Sequence, residues 1–296
     1  MTDSYLSNGQ GSQDHVVSCP DCSAAITLLD APSAQGEAAA PPPALREAML
    51  AKARLRRSPA ETAVAAVAVP YAQQVALMDG LLGELSVAQW EAPLAKHGTV
   101  RGMVEHLAAN DARVAGFMGV PASAGLPVHR RWREQAGSLL ERVSAGTGVL
   151  LGVEVELAGT RPARGPLRQA MVQRTFETWT HADDIRTATA RSSAPPADEH
   201  VRMIAEFGLA VLPKAVKGPR RDVAATVVLT GPGGGTWTVP LSPTPDRVAV
   251  LVSADAVHFC KLLAGRWPPG SFPYAAEGDP ALARELIRAA STLGCD

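Results

Sequence analysis

The stretch Phe176-Glu177-Thr178-Trp179-Thr180-His181-Ala182-Asp183-Asp184-Ile185-Arg186 decides how this 296-residue chain is read. Glu177 and His181 stand four residues apart, a spacing that puts both side chains on one face of a helix, one turn apart. A third residue of the same kind, His106, lies in a separate apolar-periodic segment, Val100-Arg101-Gly102-Met103-Val104-Glu105-His106-Leu107-Ala108-Ala109-Asn110-Asp111. Two imidazoles and one carboxylate can hold a divalent ion such as Zn²⁺ and leave a coordination position open, the mark of a catalytic rather than a structural site. Asp184 follows His181 at a spacing from which its carboxylate can orient the imidazole. Spacing alone does not decide the matter. A Glu/His pair at this interval is common on solvated faces, and a histidine on the flank of an apolar stripe is commonly a core residue.

The surrounding periodicity frames a helical bundle. After Pro70, which suits a first helical position, Tyr71, Val75, Met78, Leu82 and Leu85 recur as a bundle-facing stripe. Thr99 reads as the N-cap of a second helix reaching Met118, with Val100, Met103, Val104, Leu107, Val114 and Met118 on its apolar side. Asp111 falls inside that stripe, where a carboxylate either supports the metal ligands from behind, as Asp184 would, or meets an N–H or arginine partner. Trp132, Ala136, Leu139, Leu140 and Val143 mark a third helix, and Pro166 to Thr187 a fourth. Gly159 to Gly165 reads as a loop. A fifth helix over Asp198–Leu212 is expected to stop at Pro213.

Beyond Pro213 the pattern changes to strands. Val223–Thr230 and Thr236–Leu241 flank Gly231-Pro232-Gly233-Gly234-Gly235, a hairpin signature that lacks the ending of a phosphate-binding loop. A strand over Val248–Val252, a helix over Asp255–Leu263, a short strand over Phe272–Ala276 and a last helix capped by Asp279 complete a small α+β domain. The expected division is therefore residues 1–24, a linker over 25–66 rich in Ala and Pro, a helical bundle over 67–213 and the α+β domain over 214–296.

Composition narrows the functional classes. A formal net charge of −1 supplies no bulk attraction for nucleic acid or an anionic membrane. No apolar run approaches the roughly 20 residues needed to span a bilayer, and the first residues lack a secretory signal pattern. Cys19, Cys22, Cys260 and Cys295 form no disulfide framework, which fits a reducing, cytoplasmic setting. Cys260 and His258 sit on an amphipathic helix and read as core packing. His97, His129 and His200 read as surface residues in loops.

Two stretches resemble known families. Glu177 with Trp179-Thr180-His181-Ala182-Asp183-Asp184-Ile185-Arg186, together with Thr99 to Ala109, resembles the motifs of the mycothiol-dependent maleylpyruvate isomerase family. The likeness extends over about residues 69–290 and includes Gly233 to Pro240, Phe259 to Arg266 and Glu277-Gly278-Asp279. It implies a DinB-like four-helix bundle followed by a small α+β domain, and a metal held by His106, Glu177 and His181. It also implies mycothiol as thiol cosubstrate, a small electrophilic substrate, and isomerase or S-transferase chemistry. Arg186 and Arg266 are the residues expected to meet acidic groups of the cosubstrate, although a structural ion pair is the plainer role for each.

The N-terminal His15-x₃-Cys19-x₂-Cys22 is similar to the second half of the zinc-binding anti-sigma factor domain. That likeness implies a second zinc site and a sigma factor as partner through residues 1–66, and with it an alternative reading as a soluble regulator. The pattern departs from that family, because a tetrahedral structural zinc needs four ligands and no His or Cys precedes His15.

Overall fold

Proline at the start and an apolar residue at every turn produce the first helix, α1 (Val69–Gly83), which buries Tyr71, Val75, Met78 and Leu82. The computed structural model describes residues 64–294 apart from 147, 159–162, 194 and 218–221, together with a few positions nearer the N-terminus. The chain divides into two units, Met1–Ala60 and Glu61–Asp296. In the first, residues 44–46 and 48–49 are helical. His15, Cys19 and Cys22 lie outside the described residues, as does most of the linker.

In the second unit α1 is followed by α2 (Val100–Gly116), α3 (Val128–Ala145) and α4 (Leu167–Ala188). Thr99 caps α2 as its sequence position foretells, its hydroxyl accepting the Gly102 N–H at 3.2 Å. The four helices share one core, in which Met78, Leu107, Trp132, Leu139, Met171 and Ile185 are buried together. Two small hairpins decorate the bundle: β1 (Pro93–Leu94) with β2 (Gly98–Thr99), and β3 (Glu154–Leu157) with β4 (Ala163–Pro166).

The second hairpin replaces part of the loop expected over Gly159–Gly165. Glu154-Val155-Glu156-Leu157 alternates as a strand should, with Val155 and Leu157 buried. Its partner, Ala163-Arg164-Gly165-Pro166, has no β-branched or aromatic residue to announce it. A Cβ at Gly165 would meet Gln169 Oε1 at 2.7 Å and Leu157 Cδ1 at 2.8 Å, so a larger residue there would make those side chains shift.

The chain then forms α5 (Asp198–Ala215), β5 (Val223–Thr230), β6 (Gly235–Pro240), β7 (Arg247–Asp255), α6 (Ala256–Leu263), β8 (Ala275–Gly278) and α7 (Pro280–Ala290). The strands make one sheet in the order β6-β5-β7-β8, with β5 and β7 parallel and the outer pairings antiparallel. The glycine turn between β5 and β6 places Gly231 and Gly233 at φ +81° and +73°, a region that favours glycine. The architecture is α+β, as the sequence implies. Pro213 does not stop α5, which continues to Ala215. A proline in the last turn removes one backbone donor, and the Val216 N–H still reaches the Leu212 carbonyl at 3.2 Å. The final strand starts three residues later than expected, because Phe272 is buried in the core while β8 itself is exposed.

Helix α4 ties the two halves together. Leu167, Ala170, Met171, Ala182 and Ile185 belong to the bundle core. Phe176 and Trp179 belong to the other core, with Val201, Ile204, Leu229, Phe259 and Leu263. The helix is thus buried on most of its circumference, and its polar residues are carried inside. Truncating the side chain that anchors it in the second core, Phe176→Ala, is expected to destabilise the protein by about 3–5 kcal/mol. Urea unfolding of the two proteins measures that difference.

Candidate metal centre

Seven polar residues of α4 are buried: Gln173, Arg174, Thr175, Glu177, Thr178, Thr180 and His181. Two of the threonines satisfy themselves by donating to the carbonyl four residues back. His181 is oriented by Asp184, one turn on in the same helix, and through it by Arg266 from the second half. Its Nδ1 lies 3.1 Å from Asp184 Oδ2, and Asp184 is gripped by Arg266 through Nε–Oδ1 at 3.1 Å and Nη2–Oδ2 at 2.6 Å. Burial opposes the charge on Asp184, but hydrogen bonds from His181 and Arg266, and the Arg266 charge, hold its carboxyl down at about 2. Nδ1 also lies 3.4 Å from Arg266 Nη2; the neutral tautomer that donates Nδ1–H to Asp184 carries its lone pair on Nε2. That nitrogen is buried and has no hydrogen-bond partner among the described residues.

On the facing helix, His106 Nε2 accepts from the Asn110 amide at 3.0 Å, and the same amide donates to Glu177 Oε2 at 3.0 Å. His106 Nε2 and Glu177 Oε2 are 4.0 Å apart. Glu177 also pairs with the buried guanidinium of Arg174, whose other nitrogen lies 3.5 Å from Asp111 Oδ1. The partner that Asp111 needs inside an apolar stripe is therefore Arg174, with the Tyr71 hydroxyl beside it. Burial raises the Asp111 carboxyl more than Arg174 and Tyr71 lower it, and leaves it at about 6. The Tyr71 hydroxyl is raised as well, by burial and by the Asp111 charge.

His97 corrects the sequence reading of a surface residue. It occupies the turn between β1 and β2, half-buried, with its ring centroid 4.4 Å from that of His106 and 5.4 Å from that of His181. One donor nitrogen each from His97, His106 and His181 lie within 4.8 Å of one another. The other two histidines read as surface also differ. His200 is buried in α5, 3.1 Å from the Gln74 amide, and His129 lies in α3, 2.7 Å from Asp79. Sequence reasoning missed Asn110 and Arg174 too. Both stand at helical spacings from residues it did select, four after His106 and three before Glu177, where a polar residue can be checked as a partner.

These residues suit a divalent cation. Glu177 Oε1 is buried without a hydrogen-bond partner among the described residues, as is His181 Nε2. The buried set Asp111, Glu177 and Arg174 contains two carboxylates against one guanidinium. Beside His97 opens a cleft of about 590 Å³ whose walls include Leu94, Met103, Asp183, Lys261 and Arg266. Arg186 lies elsewhere, in a shallower depression with Glu84 and Arg191. Of the two arginines expected to meet a cosubstrate, Arg266 alone borders this cleft.

No protein-family model matches the chain, and no curated protein matches it. Two solved structures do: a mycothiol-dependent maleylpyruvate isomerase at 15% identity, and a histidine-to-alanine mutant of that enzyme at 14%. Each covers 72% of this chain and 92% of its own, with a TM-score of 0.48. Similarity at this level carries no functional argument.

The raised Asp111 carboxyl gives a signed expectation. Its stabilising contribution is complete below about 4 and is lost as pH rises through about 6, because the folded state holds the proton more tightly than the unfolded chain. In Asp111→Asn this dependence is absent. The stability of the wild type minus that of the variant should therefore fall between pH 4 and 6, read from urea midpoints at each pH. A difference that is flat, or rises, contradicts the assignment.

Proposed function

We propose that the protein is a divalent-metal-dependent enzyme that uses a low-molecular-weight thiol, mycothiol, in isomerisation or S-transfer on a small electrophilic substrate. His106, Glu177 and His181 would hold the ion, with Zn²⁺ the cation that best suits two imidazoles and a carboxylate. The observation that carries this reading is the buried, partnerless Nε2 of His181, presented by a ring whose other nitrogen is fixed by Asp184 and Arg266. A carboxylate–histidine pair of this kind fixes the tautomer and strengthens the imidazole as a ligand. The thiol rests on the resemblance of the Glu177–Arg186 and Thr99–Ala109 motifs.

A bound divalent ion would lower the pKa of a thiol and hold it as the nucleophilic thiolate. The chain supplies the rest. Asn110 and Arg174 both engage Glu177 Oε2, so the carboxylate is aimed, and Oε1 has no hydrogen-bond partner among the described residues. Asp184 positions His181 and takes no part in proton transfer, since its carboxyl is held near 2. The cleft beside His97 has apolar groups from Leu94 and Met103 and cationic ones from Lys261 and Arg266. A small acid attached to a carbon skeleton fits that combination. Lys261 and Arg266 are already paired with Asp183 and Asp184, so they moderate the negative potential of the cleft more than they create a strong anion site.

Metal analysis of anaerobically purified protein is expected to give about one divalent ion per chain, as a three-ligand site requires. His181→Ala should lose it, and mycothiol should bind the metal-loaded wild type but not the variant. Wild-type protein that takes up no metal, or loaded protein that ignores mycothiol, would remove the basis of this function.

A further inference from the structure

The hairpin β1–β2 contains two two-residue strands and a turn, too little to be stable by itself. Its turn is nevertheless held firmly against α2. The His97 carbonyl accepts the Thr99 N–H at 2.8 Å, and Gly98 takes φ +74° to close the turn. The Thr99 hydroxyl then caps α2. Gly102 lets the turn sit directly on the helix, since a Cβ at that position would lie 2.2 Å from the His97 oxygen. The sequence His97-Gly98-Thr99-Val100-Arg101-Gly102 therefore fixes the backbone of His97 through two glycines and a cap. The imidazole that results is held against those of His106 and His181, which come from two other elements.

We infer that His97 is a further ligand of the metal proposed above, so that three imidazoles from β1–β2, α2 and α4 share one ion with Glu177. Three nitrogens around a tetrahedral zinc stand about 3.3–3.4 Å apart, given bond lengths of about 2.0–2.1 Å. The three donor atoms already lie within 4.8 Å of one another, so at most about 1.5 Å of closure brings them to that spacing. The rings meet edge-to-face at His97–His181 and His106–His181 and tilted at His97–His106, so all three imidazoles converge on one small volume. Four protein ligands leave a position free when the ion expands to five-coordination. His97 also borders the cleft, so this ligand joins the metal to the wall on which a substrate would rest.

The inference rests on the metal reading of the site, and its test separates the two. Full-length wild type, His97→Ala and His97→Gln are titrated with cobalt(II), whose visible absorption bands report the ligand set. Glutamine keeps the bulk of the side chain and guards against a folding defect, and circular dichroism melts of the metal-free proteins check for one. The expected result is that both variants bind cobalt at least about tenfold more weakly than wild type, the minimum expected when even an outer partner of a ligand is lost. Their absorption bands should shift in position or intensity, with metal-free melting unchanged. Affinity and spectra indistinguishable from wild type in both variants overturn the assignment of His97 while leaving the proposed function in place. A wild type that binds no cobalt overturns both.

Discussion

A buried guanidinium makes this architecture workable. Arg174 sits on α4 with its side chain about 1% exposed, between Glu177 of its own helix and Asp111 of α2. An isolated carboxylate in such a place would cost many kcal/mol, and in practice it would take up a proton. Pairing through Arg174 lets α4 bring polar residues into the region between two hydrophobic cores without losing either core. Phe176 and Trp179 face one of them while Met171 and Ile185 face the other, and the charged residues occupy what remains of the circumference. Removing Arg174 would leave two buried carboxylates close together with no cation, a larger penalty than the loss of one contact.

The same requirement explains which parts of the fold are legible in the sequence. The bundle helices α1 to α3 have one wet face, so their stripes of Tyr71, Val75 and Met78, or of Trp132, Ala136 and Leu139, stand out at helical spacing. Helix α4 has almost no wet face, and its buried positions include as many polar as apolar side chains. Periodicity could not place it well. The Glu177/His181 spacing and the motif around it did so instead. The sheet was readable through Val223–Thr230 and the glycine turn, where strand propensity and turn chemistry agree. The β3–β4 hairpin was not, because Ala163 to Pro166 owes its conformation to pairing with Val155 and to the space that Gly165 leaves.

The site shows a similar divide. His106, Glu177, His181 and Asp184 lie on helices, where spacing predicts neighbours, and the His181–Asp184 contact is the one that spacing suggests. His97 lies in a turn outside any regular element, and nothing local tells a histidine there from one on the surface. The information was present in a dispersed form: a glycine after His97, a capping threonine, and a glycine at the third position of α2, where a helix normally avoids one. Those three residues matter together only when the turn rests on the helix, which is a tertiary fact.

On the proposed reading, a bound cation would complete this arrangement. A purely structural network would be expected to satisfy its members, since a buried polar atom left without a partner costs about 1–3 kcal/mol. Here the network is completed on one side only. Asp184 and Arg266 secure the Nδ1 side of His181, and Asn110 with Arg174 secures Glu177 Oε2. His181 Nε2 and Glu177 Oε1 are left bare. Both belong to residues proposed to hold the ion. Donors were available to this fold, since it commits two arginines and an amide to the outer sides of these same groups. That they stop short of the inner sides fits the proposal that an ion from solution is the remaining partner.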